Sequence, residues 1–307
     1  RQDTLTKPPG SLGRLEELAL FMAGWHASAR PAINDAQALV FAGNHGVCAP
    51  GVNAIPQSVT AQMVQNFESG GAAVNQLCQI GGGELSVIAL DQLVPTRDFT
   101  TGEALTAKKL LEALNCGAGA VRPQADVLVL GEMGIGNSTV AAALSAALFG
   151  GPVDRWVGPG TGSDASGIAR KSAAVEAGLM RHTALTGNPL ALLRAFGGYE
   201  QAALCGAILA ARLRCTPVIL DGFICTAAAA ILHALDPSTL DHCLVGHVSG
   251  EPGHQQLLEQ LGKRPLLDLD MRLGEGSGAA LALCVLRAAL ACHNGMATFA
   301  EAGVSEQ

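Results

Sequence analysis

Six short apolar runs, separated by longer alanine-rich stretches, set the strongest limit on what this 307-residue chain can fold into. The runs are "ALVFAG" (38–43), "LSVIAL" (85–90), "DVLVLG" (126–131), "PVILDG" (217–222), "CLVGHV" (243–248) and "LLDLD" (266–270). Several are continuously apolar rather than alternating, the pattern of a parallel strand covered on both faces. Between them, the periodicity predicts helices over 60–80, 106–121, 139–149, 166–186, 198–213, 223–234 and 253–262. Such alternation specifies an α/β chain with a doubly wound parallel sheet. The N-terminal "SLGRLEELALFMAGWHA" and a helix from Ser277 are expected to pack together. They would form a small helical subdomain, 1–29 with 276–307, beside a large α/β domain spanning 30–275.

Hydrophobic residues make up 49% of the chain and charged residues 15%, enough for a large core and too apolar for disorder. The net charge of −7, with no basic run, argues against nucleic acid as a partner. Every apolar stretch of membrane-spanning length is broken by a polar residue or glycine, so these read as core helices and no membrane partner is expected. Nine scattered cysteines without a CxxC pair fit reduced thiols in a cytoplasmic setting. No secretory signal pattern is visible, and a start at Arg1 rather than Met leaves a trimmed N-terminus open.

In a doubly wound sheet, ligands bind beyond the carboxyl ends of the strands. The loops there are distinctive. In "FAGNHGVCAPGVNAIP", Asn44 and His45 follow a strand directly; His45 either faces a crevice or braces a turn. In "GEMGIGNSTVAAALSAAL", Glu132 ends a strand, glycines turn the chain, and Asn137 or Ser138 is expected to cap a helix. The free N–H groups and dipole of that helix favour an anion. No lysine follows the glycines, so the stretch is neither a P-loop nor a dinucleotide fingerprint. In "VGPGTGSDASGIARK", Gly158, Gly160 and Gly162 let backbone approach a ligand, and Asp164 or Ser166 starts a helix. Lys171 in that helix either reaches back as a point charge or sits solvated on its face.

Asp221 in "VILDGFICTAAAA" is expected to cap the helix that follows it. "GHVSGEPGH" offers the Ser249 hydroxyl to an anion. The surrounding His242, Cys243, His247 and His254 match no standard zinc spacing, and no metal is expected. In "DMRLGEGSGAALALCVLRAAL", Glu275 stands between Gly274 and Gly276 before an almost wholly apolar helix. A nearby helix N-terminus stabilises its anion, whereas burial raises its pKa. The balance suits a base at neutral pH, with a capping role as the plainer alternative.

Taken in order, "KPPGSLGRLEELA", "FAGNHGV", "VTAQMVQNFESGGAAVNQLC", "GEMGIGNST", "VGPGTG", "LDGF" and "MRLGEGSGAALAL" resemble one family from about Lys7 to near the C-terminus. It is the nicotinate-nucleotide–dimethylbenzimidazole phosphoribosyltransferases of cobalamin nucleotide-loop assembly. The resemblance implies a six-stranded Rossmann-like sheet, a helical subdomain from both chain ends, a homodimer and no cofactor. It implies transfer of 5-phosphoribosyl from nicotinate mononucleotide to a benzimidazole nitrogen, with inversion to α-ribazole 5′-phosphate. The glutamate of "LGEGSG", here Glu275, corresponds to the family's general base. Leu273, Gly274 and Met133 then line the acceptor pocket, and Glu132 and Lys171 lie near the phosphoribosyl and nicotinate groups. The "VGPGTG" loop, including Thr161, with Gly134, Asn137, Ser138, Asp221 and Ser249, completes the expected substrate site. Familiar members carry Ser and Gln in the acceptor wall where Ile55 and Met63 align here. That more apolar wall suits dimethylbenzimidazole and leaves purines, other benzimidazoles and phenolics open as acceptors. Two other readings stand beside it: a nucleotide-binding sensor without turnover, and a metal-assisted hydrolase built on His45, Asp221 and the 242–254 region.

Overall fold

The computed structural model describes residues 1–48, 51–53 and 55–305, so residues 49, 50 and 54 of the first loop and the last two residues lie outside it. Six strands form one parallel sheet: β1 (Ala36–Ala42), β2 (Gly83–Ala89), β3 (Val127–Met133), β4 (Val218–Leu220), β5 (Cys243–His247) and β6 (Pro265–Leu267). Their order is β2-β1-β3-β4-β5-β6. Each predicted strand is present, with ends shifted by a residue or a few.

The helices are α1 (Arg14–Trp25), α2 (Ser58–Glu68), α3 (Ala73–Gly81), α4 (Ala107–Ala120), α5 (Asn137–Phe149) and α6 (Ala165–Arg181). They continue with α7 (Pro189–Phe196), α8 (Tyr199–Leu213), α9 (Phe223–Leu235), α10 (Pro252–Leu261), α11 (Ser277–Gly295) and α12 (Phe299–Ala302). The single helix expected over 60–80 is two, because the chain turns at Gly70, where φ is +77°. Helix α7 has no counterpart among the predicted elements. Its eight residues are mostly apolar and too few to show a helical period.

Side chains alternate across each strand, so a strand buried on both faces needs apolar residues at successive positions. In β1, Leu39 and Phe41 enter one core while Ala38, Val40 and Ala42 enter the other. In β3, Leu128 and Leu130 point one way, and Val127 and Val129 the opposite way. Helices α4, α5, α8 and α9 cover the first face; α1, α3 and α11 cover the second.

Helix α11 is long and apolar enough by composition to cross a membrane. Here it packs as a core helix, with Ala279, Ala280, Leu283 and Leu286 buried against β3, β5, α1 and α3. The chain ends meet beside it. The Arg1 guanidinium donates to the His293 carbonyl at 2.7 Å, and Leu5 bridges to Thr298.

Candidate active site

The order of β2, β1 and β3 reverses the direction of winding, so the loops after β1 and β3 diverge and leave a crevice at the carboxyl ends. That crevice encloses about 960 Å³ including its open mouth. Glu132, Met133 and Gly134 enter it from the end of β3, and Asn137 and Ser138 from the start of α5. Asp221 enters from the end of β4 and Ser249 from the loop after β5. Leu273, Gly274 and Glu275 come from the loop before α11, Gly160 and Thr161 from the loop before α6, and Ile55 and Met63 from the α2 side. The other three expected positions, Gly158, Gly162 and Lys171, lie outside the lining.

Glu275 has φ +65°, between Gly274 at +80° and Gly276 at +82°. A left-handed conformation costs a non-glycine residue about 1–2 kcal/mol, so the surrounding contacts must hold this turn. Part of the support is the close approach of Gly131. A Cβ on Gly131 would stand 2.5 Å from the Gly276 backbone, so the turn rests directly on β3. The Glu275 side chain lines the crevice and is 8% exposed. Burial pushes its pKa up to about 7, helped by the negative charge of Asp221. Of the two opposing influences on this carboxylate, the helix N-terminus and desolvation, burial prevails.

Asp221 does not cap its own helix; the N-cap of α9 is Gly222, without a side-chain bond. Instead its carboxylate reaches across to α11. Oδ2 accepts from the Gly276 N–H at 3.0 Å and Oδ1 from the Ala279 N–H at 2.9 Å. His247 approaches Oδ1 at 3.5 Å, long for a hydrogen bond but close enough for charge attraction. Although burial pulls the His247 pKa down, the Asp221 carboxylate outweighs it and the net shift is upward.

Neither Asn137 nor Ser138 caps α5. Gly136 occupies the N-cap with φ +104°, and both side chains are turned to other partners. The Asn137 amide donates to Glu132 Oε2. Glu132 is held well above the usual carboxylate range by burial, then by the charges of Asp221, Glu200 and Glu275. Ser138 Oγ accepts from Lys171 Nζ at 3.3 Å.

Lys171 is 1% exposed, which overturns the solvated alternative. Asp164 caps α6 through the Gly167 N–H, and the helix carries Lys171 inward beneath the glycine loop. There its ammonium also donates to the Gly158 carbonyl at 3.3 Å. Burial lowers its pKa, opposed by the nearby Glu251 charge. Gly158 is therefore a support for the lysine rather than part of the lining, and Gly162 lies on the outer side of the loop, exposed.

Sequence reasoning missed several lining residues. Arg272 stood in the quoted "MRLG" motif, and its cationic side chain beside Glu275 was the available signal. Glu251 stood in "GHVSGEPGH"; its Oε1 accepts from the Gly160 N–H at 2.8 Å, tying two loops together. Val59, Phe223 and Ile224 add apolar wall, and only the tertiary fold brings them there.

His45 braces a turn rather than lining the crevice. It is fully buried, with Nε2 2.8 Å from Glu200 Oε1 on α8. Of the residues of the hydrolase alternative, Asp221 and His247 meet in the crevice, but His45 and His242 lie outside its lining. His242 stacks edge-on against Trp25, and His254 meets Thr226 Oγ1 at 3.2 Å. Among the described residues, no three His, Cys, Asp or Glu side chains gather as a metal-holding group.

Comparison with known proteins agrees with the motif order. A family model described as phosphoribosyltransferase matches residues 1–304. The nicotinate-nucleotide–dimethylbenzimidazole phosphoribosyltransferase of Rhodobacter capsulatus is 63% identical over 305 residues, covering 99% of this chain and 91% of that protein. The protein of the same name from Ruegeria pomeroyi is 58% identical, covering 100% of this chain and 90% of its own. The crystal structure of CobT from Thermus thermophilus superimposes with a TM-score of 0.92 at 42% identity, covering 100% of this chain and 97% of that one. The chain belongs to the nicotinate-nucleotide–dimethylbenzimidazole phosphoribosyltransferase family.

Proposed function

We propose that Glu275 is the general base by which this chain performs the family reaction, and that the crevice residues above are its substrate site. The chain transfers the 5-phosphoribosyl group of nicotinate mononucleotide to 5,6-dimethylbenzimidazole, giving α-ribazole 5′-phosphate and nicotinate. In this reading the acceptor ring lies against the apolar wall of Ile55, Val59, Met63 and Met133, with Leu273 at its edge. One ring nitrogen gives its proton to Glu275. The lone pair of the other nitrogen then attacks the anomeric carbon from the face opposite nicotinate, and the C–N bond to nicotinate breaks with inversion. Holding both reactants in line removes most of the entropic cost of the encounter.

The donor's phosphate takes the N-terminal turn of α5 and the Gly160–Thr161 loop, where backbone N–H groups and the helix dipole favour an anion. Lys171 acts from behind that loop, holding Gly158 and Ser138 and lending positive charge. Arg272 at the mouth adds a second cation. The upward shift of Glu132 favours its neutral form, which lessens the negative charge facing an anionic donor.

One observation carries the assignment of Glu275: a carboxylate in the crevice wall with a pKa of about 7 is roughly half ionised at neutral pH, matched to accepting a proton there. The direct test is nicotinate release from nicotinate mononucleotide. Release should require dimethylbenzimidazole, give a product with the mass of the α-riboside phosphate, and survive EDTA. Release that needs a divalent ion and no acceptor would support hydrolysis instead. The family resemblance also implies a homodimer, and we carry that as part of the proposal; sedimentation at twice the chain mass tests it.

A further inference from the structure

Asp221 ends β4 almost completely buried, so its charge is met by protein groups rather than water. Two of those groups are the backbone N–H of Gly276, immediately after Glu275, and that of Ala279, in the first turn of α11. The N-cap of α11 is Gly276, which has no side chain to cap its own helix. A helix capped by a residue of a neighbouring strand is located relative to that strand. Among the described residues, no other side chain accepts from these two N–H groups. Behind Asp221, His247 is locked by its Nδ1 contact to the Val248 carbonyl at 3.0 Å, with its ring packed under Gly222 and Gly278.

We infer that Asp221 is a positioning residue for the reaction: by capping α11 from the end of β4, it holds the 274–276 turn and so aims the Glu275 carboxylate at the acceptor. This deepens the reading of Glu275 as the base and rests on it. It gives Asp221, which also lines the crevice, a role through Glu275, since both its oxygens accept from α11. Glu275 is faced by Asp221 from β4 and by Glu132 from β3, while Arg272 of its own loop acts on Glu251 at the crevice mouth. His247 from β5 and Glu200 from α8 stand behind Asp221 and Glu132 respectively.

Two variants separate positioning from charge. Asp221→Asn keeps the shape, removes the charge and presents an amide N–H to one of the two donors. Turnover should fall by at least about tenfold with the donor KM within about twofold, because the reacting groups are misplaced while the donor site is intact. The acid limb of the kcat profile should also move to lower pH, since a negative charge beside the base is gone. Asp221→Glu keeps the charge but displaces the cap. It should lose turnover without moving that limb, and it carries the test if the asparagine variant does not fold. In the wild-type chain, the Gly276 and Ala279 amides should exchange hydrogen as slowly as the β4 ladder.

A donor KM raised about tenfold with kcat kept would make Asp221 a substrate contact and overturn the inference. So would wild-type kcat in both variants, or Gly276 and Ala279 amides that exchange at loop rates. The underlying base assignment fails separately, by near-normal turnover in Glu275→Gln whatever the Asp221 variants do.

Discussion

At the scale of single residues, the site is governed by burial of charge. Glu275 titrates near 7 in the folded chain and near 4.5 as an ordinary glutamate. The folded state therefore binds its proton more tightly. The stability this contributes is present below about pH 4.5 and lost as pH rises through about 7. Glu275→Gln has no charge to lose. It should melt at a higher temperature than wild type at about pH 8 and close to it at about pH 4, as functional sites commonly trade stability for activity. A melting temperature unchanged or lowered at the higher pH would contradict the assigned shift. Lys171 presents the opposite case, a buried cation whose removal leaves the Gly158 carbonyl without its partner. Hydrogen bonds involving a charged group contribute about 1.5–3 kcal/mol, so Lys171→Ala should weaken donor binding by about tenfold to a hundredfold. Calorimetry with nicotinate mononucleotide checks this, and unchanged affinity would remove Lys171 from the donor site.

At the scale of elements, the critical contact is between β3 and the start of α11. Gly131 has no Cβ, and Gly276 lies in the space one would fill. Gly131→Ala should push the Glu275 turn off the strand, at the usual overpacking cost of about 1–3 kcal/mol, and lower turnover more than donor affinity. Full activity in a folded Gly131→Ala chain would show that the turn does not depend on this approach. Much at this scale was legible in the sequence. The short apolar runs gave six strands, and the continuous ones mark the inner strands, where both faces of the sheet are covered. The helix after Ser277 and the Asp164 cap of α6 also follow from local pattern. What was not legible depends on partners distant in the chain. Asp221 looks like the cap of the next helix and instead caps α11, some 55 residues on. Asn137 looks like a cap and instead serves Glu132. Lys171 looks solvated until α6 is laid beneath the glycine loop. Within the site, the glycine-flanked glutamate was readable because glycine spacing is local, whereas Val59, Phe223 and Ile224 reach the crevice only through the tertiary fold.

At the scale of the whole molecule, the parallel sheet directs strand ends, helix N-termini and buried carboxylates to one crevice. Glu132, Asp221 and Glu275 come from three separate segments, and their mutual repulsion adds to desolvation in raising the pKa of two of them. On the proposed reading, the fold supplies a base near neutrality without any unusual residue, using only where the chain places ordinary ones. The most direct test of that claim is the pH profile of acceptor-dependent nicotinate release in wild-type and Glu275→Gln chains at saturating donor. Wild type should lose turnover as pH falls through about 7, and the glutamine variant should be slower by at least about a hundredfold with donor binding kept. A glutamine variant that turns over at nearly the wild-type rate, with the same acid limb, would contradict the account.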